Sequence, residues 1–107
     1  MTAPDDTLAG YVSVHGRPPG FEGSDGRAYS VAVFSDDDPG PDGRYGAALI
    51  FIRWSVGNAP DGHLESDYLA FSDDPSAAEA EVGRLSLTEV KRILDALIAA
   101  ARGTATQ

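Results

Sequence analysis

The sequence predicts an α+β domain: a four-stranded antiparallel β-meander followed by a short helix and a C-terminal helix packed on one sheet face. Three observations carry that expectation. Segments rich in β-branched and aromatic residues fill the first two thirds of the chain and are separated by connections of Gly, Pro and Asp. Two helix-start signatures follow them, the second opening a long apolar stripe at helical spacing. The chain has 107 residues, which suits a single modest core.

Residues 1–7 (MTAPDDT) carry Pro and two Asp without periodicity and are expected to form a disordered N-terminal tail, with the ββββα domain over 8–102 and a C-terminal tail over 103–107. Leu8–His15 (LAGYVSVH) alternates, Leu8, Val12 and Val14 against Tyr11, Ser13 and His15, and reads as a first strand weakened by Gly10. GRPPGFEGSDGR reads as a loop that could fold Pro18, Pro19 and Phe21 over a sheet face. Arg27–Ser35 reads as the second strand. The run DDDPGPDG is a hairpin connection whose Asp36, Asp37, Asp38 and Asp42 lack the ligand order of a calcium loop and suit a solvated tip.

Arg44–Val56 is the strongest strand. Ala48, Ile50, Ile52, Trp54 and Val56 share one face; Ala47, Leu49 and Phe51 share the other before it turns polar at Arg53 and Ser55. Its length predicts a bend or bulge. His63–Phe71 reads as the fourth strand. Ser76–Glu79 and Ser86–Glu89 are capping boxes: the first opens a short helix ended by a left-handed Gly83, the second a helix from Leu87 to Arg102. Leu87, Val90, Ile93, Leu94, Leu97, Ile98 and Ala101 form its apolar stripe.

Composition narrows the function. The absence of cysteine excludes disulfides, thiolate metal sites and cysteine nucleophiles. No apolar run approaches the ~20 residues of a membrane span, and no basic-then-apolar leader is visible, so the expected compartment is the cytoplasm. Eight Lys and Arg against 17 Asp and Glu give a net charge of −9, which argues against phosphate backbones and anionic membranes and favours a basic protein surface. No nucleophile elbow or phosphate loop is present, so neither an enzyme nor a cofactor is expected.

A sheet apolar on both faces with one main helix leaves a face uncovered. The expectation is a binding or assembly module, pairing with itself as a homodimer or with a protein partner, through Leu49 and Phe51 rimmed by Arg44, Tyr45 and Arg53. Trp54 is expected on the core side. A second candidate is His63, Glu65 and Asp67, whose i, i+2, i+4 spacing on a strand would place an imidazole and two carboxylates on one face for a metal-dependent enzyme or sensor. A third rests on Arg44, Tyr45, Phe51, Arg53 and Trp54, where cations and aromatics interleave as in single-strand binders. Four antiparallel strands and a C-terminal helix resemble, in element order only, the small single-strand-binding coactivator and Pur-type domains. That resemblance implies a single-stranded nucleic acid on the sheet; the charge of −9 departs from the basic faces of such domains.

Overall fold

The computed structural model describes residues 5–105, and its element order is α1 (Leu8–His15), β1 (Gly20–Glu22), β2 (Ala28–Ser35), β3 (Tyr45–Trp54), β4 (Pro60–Glu65), β5 (Ala70–Ser72), α2 (Pro75–Gly83) and α3 (Leu87–Ala105). The expected architecture is present: an antiparallel sheet in the order β1-β2-β3-β4, with two helices following the strands. β3 is central. It pairs β2 along one edge, while β4 and β5 share the other, each taking one half of β3.

Leu8–His15 is a helix, contrary to the strand expected there. Thr7 is extended and its Oγ1 accepts from the Gly10 amide at 3.0 Å, and Gly16 closes the end at φ 67° with its amide on the Val12 carbonyl. Eight residues that alternate weakly satisfy a helix or a strand, and here the caps decide. Only Leu8 of this helix is buried; Val12 and Val14 are exposed, so their alternation marks no inner face. Residues 1–4 of the expected tail lie outside the described residues. Asp6 and Thr7 are held in place: the Leu87 amide donates to the Asp6 carbonyl and Thr7 bridges Ser86.

The first strand lies instead inside the expected loop, where Gly20, Phe21 and Glu22 pair Ser30, Tyr29 and Ala28. Phe21 packs against the helix-side core and so does not cover the other face. The expected fourth strand, His63–Phe71, is broken. Ser66 interrupts it: its amide donates to the Leu49 carbonyl while its Oγ accepts from the Leu49 amide, so the side chain does the work of a backbone carbonyl. The irregularity expected in the long strand falls at Arg53 and Trp54, which pair Gly62 and Pro60, leaving Asp61 as the extra residue.

The helix starts follow the chain's capping chemistry with one shift. Asp74, rather than Ser76, caps α2 by accepting from the Ala77 amide at 3.1 Å, because Pro75 suits the first helical turn and needs no amide partner. Gly83 is not left-handed. It is the last residue of α2, and its missing Cβ makes room for α1: a Cβ there would lie 2.9 Å from that of Ala9. The second capping box forms as written, Ser86 Oγ accepting from the Glu89 amide at 3.1 Å and Glu89 from the Ser86 amide at 3.2 Å. α3 continues past Gly103 to Ala105, into the expected tail.

One core results. Tyr29, Val31, Ala47, Leu49 and Phe51 from the sheet meet Leu8, Ala78, Val82, Val90, Leu94 and Ile98 from the three helices. All five sheet residues have odd numbers on β2 and β3, and the register pairs Val31 with Phe51 and Val33 with Leu49, so they share a face. Among the described residues, no helix is long and apolar enough to cross a membrane.

Candidate functional site: the open face of the sheet

Because side chains alternate along a strand, placing the odd residues under the helices sends the even ones outward. Ala28, Ser30, Ala32 and Phe34 of β2 stand opposite Trp54, Ile52, Ile50 and Ala48 of β3. None of these joins the helix-side core. Ile50, Ile52, Trp54 and Phe34 remain partly exposed. The face is apolar across its two central strands, with polar groups at its edges: Glu22 on β1, and His63 and Glu65 on β4. Trp54 is fixed rather than loose, its Nε1 donating to Ser30 Oγ at 2.9 Å.

This reverses the sequence-based assignment. Leu49 and Phe51, expected on the uncovered face, are both 0 % exposed beneath the helices. Trp54, expected in the core, lies on the open face. Arg53 shares the parity of Leu49 and Phe51, and its guanidinium lies on the helix side at the end of the sheet, where Nε donates to Asp61 Oδ1 at 2.8 Å and Nη2 to the Asp61 carbonyl at 2.9 Å. Tyr45 shares that parity and pairs Ser72. Arg44 alone of the five reaches the open face, at its corner: its Nη2 donates to the Phe71 carbonyl at 2.9 Å and the guanidinium carbon stands 5.7 Å from the Phe71 ring centre.

That corner was not legible as a site. Phe71 pairs Gly46 and therefore lies on the open face, and Tyr68 lies across Gly46 so closely that a Cβ would sit 2.6 Å from the ring. The two rings are 5.5 Å apart and both are about half exposed. The Tyr68 hydroxyl donates to Asp36 at 2.8 Å, and that hydrogen bond holds the phenol above its ordinary pKa, with burial and the carboxylate charge adding to it. Asp42 accepts from the Arg44 amide at 3.0 Å. The Asp-rich connection is thus tied to its own hairpin and to Tyr68.

His63 and Glu65 lie side by side, 3.5 Å apart and half exposed, but Asp67 does not join them, because the chain leaves the strand at Ser66. Among the described residues, no group of three His, Asp or Glu is placed to hold a metal. His15 lies in α1, where it stacks on Tyr11 and pairs Asp5 at 3.1 Å.

No family model matches the chain, and neither a curated protein nor a solved structure does. The site's own geometry therefore carries the functional argument.

Proposed function

We propose that this is a non-catalytic, cytoplasmic assembly module whose two copies pair through the open sheet face, Ile50, Ile52 and Trp54 at the centre. The supporting observation is the apolar face of β2 and β3, on which no helix packs among the described residues. Leaving such a surface in water forgoes about 25 cal/mol for every Å² that could be covered. β1 to β4 hold 3, 8, 10 and 6 residues, which at ~3.4 Å each and with strands ~4.8 Å apart give a footprint of roughly 450 Å². A standard interface takes about 800 Å² from each partner, so the sheet supplies about half of it and the corner at Tyr68 and Phe71 supplies more. Stacked sheets with interdigitating inner faces are a common way to close such a layer.

A nucleic-acid ligand gains nothing from this arrangement. Arg44 is held on Phe71, Arg53 lies on the helix side, and the edges of the face carry Glu22 and Glu65.

Two copies each at −9 repel, so pairing should strengthen as salt screens them. The test is light scattering after size exclusion, over a wide range of protein and salt concentration, on the native chain and on Ile52→Asp. The expected result is a mass near twice 11.2 kDa for the native chain, favoured by salt, and a folded single-mass species for the variant. A native chain that stays at 11.2 kDa throughout, or a variant that keeps the double mass, overturns the reading.

A further inference from the structure

Three of the chain's seven arginines, separated widely in sequence, meet at one place on the helix side of the sheet. Arg27, Arg53 and Arg102 surround a hollow of about 380 Å³ whose apolar wall is Leu64, Ile98 and Ala101. The hollow exists because Ile98 is the last core side chain of α3. One turn later the helix offers only Ala101 toward Tyr29 and Leu64, and the space a larger side chain would fill stays open.

The arginines are positioned differently from one another. Arg27 and Arg53 both clasp Asp61, which holds the two guanidiniums in place by one edge. Arg53 also lies flat on Gly62, where a Cβ would come within 2.8 Å of its Nη2. Each guanidinium has five N–H donors, so both keep donors beyond those given to Asp61. Arg102 makes no direct ion pair among the described residues, though its charge acts on the Asp25 carboxylate. Asp25 is also in the lining, but its carboxylate is occupied: it accepts from the Tyr29 hydroxyl at 2.7 Å and from the Arg27 amide at 3.0 Å.

The charge balance defines the ligand. Three arginines against Asp25 and Asp61 give 3 − 2 = +1 at the hollow, a positive spot on a chain of −9. A single negative charge is matched there. A polyanion meets two carboxylates at once and the field of the whole chain. The wall adds an apolar surface next to the cations, and pockets that pair an apolar body with a few fixed polar groups are how small ligands are oriented.

We propose that this hollow binds a small organic carboxylate, its charge on Arg102 and the free edge of Arg27 and its apolar body against Leu64, Ile98 and Ala101. Arginine is suited to this because its planar fork matches a carboxylate in two parallel hydrogen bonds. The carboxylate could belong to a free acid or to the C-terminus of a peptide, since both present the same group. The site lies on the opposite side of the sheet from the open face, so it stands or falls separately from self-pairing.

The test is a titration followed by amide NMR, with hydrocinnamate as the probe and hydrocinnamyl alcohol, inorganic phosphate and the tripeptide Gly-Gly-Phe as comparisons. Hydrocinnamate is expected to shift the amides of Gly26, Tyr29 and Ala101, and to bind at least tenfold more weakly to Arg102→Ala and to Ala101→Leu, which fills the hollow. Arg84→Ala, which alters an arginine paired with Glu81 elsewhere on the surface, should bind as the native chain does. Tighter binding of Gly-Gly-Phe assigns the site to a peptide terminus, and tighter binding of hydrocinnamate to a free acid. Absence of shifts, equal binding of the alcohol or of phosphate, or undiminished binding to Arg102→Ala overturns the proposal.

Discussion

Leu49 and Ile50 are neighbours in β3 that point to opposite faces, and truncating each in turn tests which face is the core. Both changes to Ala remove three carbons, worth about 2.4 kcal/mol if fully buried at ~0.8 kcal/mol each. Both also place Ala in the same central strand; the β-branched Ile gives up more β-propensity than Leu, which works against the expected difference rather than for it. Leu49 is 0 % exposed and sits between the sheet and the helices, so the cavity it leaves adds to the transfer cost. The expected loss is roughly 3–4 kcal/mol. Ile50 is partly exposed, makes no part of that core and leaves an indentation that water can fill, for a loss of about 1 kcal/mol. A domain of this size has about 5–15 kcal/mol in total, so the first change is severe and the second mild. The assay is urea or thermal unfolding by circular dichroism, at a protein concentration where light scattering gives a single 11.2 kDa species, so that pairing does not enter. At ~4–8 °C per kcal/mol the two midpoints should differ by roughly 10–20 °C. An Ile50→Ala loss equal to or larger than that of Leu49→Ala would refute the assignment of the core to the odd face.

Two further outcomes follow from close contacts and from charge. Gly46→Ala should destabilise by about 1–3 kcal/mol, because its Cβ would press 2.6 Å from the Tyr68 ring, and in the background of Tyr68→Ala most of that cost should vanish; simple additivity in the double variant would show that the ring is not what requires glycine there. The Asp61 carboxyl is held below its ordinary value of 3.8, first by the hydrogen bond from Arg53 and, against the desolvation that opposes it, also by Arg27. A depressed folded pKa means that its contribution is complete above 3.8 and is lost as pH falls through the lower folded value. The native chain should therefore exceed Asp61→Asn in urea midpoint near neutral pH and lose that advantage on acidification; an advantage that persists unchanged in strong acid would refute the role of the ionised pair.

What the sequence made legible was governed by strong, redundant patterns. The stripe Val90, Leu94 and Ile98 behind a complete capping box specifies α3, and the β-branched and aromatic runs specify β2 and β3. α1 was not legible because eight residues carry both alternation and helix caps, and burial of Leu8 alone gives little periodicity to read. The choice of inner face was also hidden in β3, where Leu49 and Phe51 oppose Ile50 and Ile52 with similar bulk. A signal did exist in β2: Tyr29, Val31 and Val33 are large while Ser30 and Ala32 are small. Using it requires the register that pairs Ser35 with Ala47, and that is set by the conformation of the Asp36–Arg44 connection. Trp54 and Arg53 were exchanged between faces for this one reason.

The same register keeps the two proposed binding surfaces on opposite sides of the sheet. β3 presents Ile50, Ile52 and Trp54 to the open side and Arg53 to the helix side, and the irregularity at Arg53 and Trp54 is what brings Asp61 round to hold that arginine. Sealing the open face against a second copy buries even-numbered residues of β2 and β3. It leaves the mouth of the arginine hollow, formed by the end of α3 and the Asp25–Arg27 turn, on the outer surface of each protomer. A pair would then display two such positive spots on an otherwise acidic particle. Because the two surfaces share a strand but no side chain, Ile52→Asp should abolish pairing and leave hydrocinnamate binding intact, whereas Arg102→Ala should do the reverse. A loss of both functions in either variant would mean that the two sides of β3 are coupled through the strand itself.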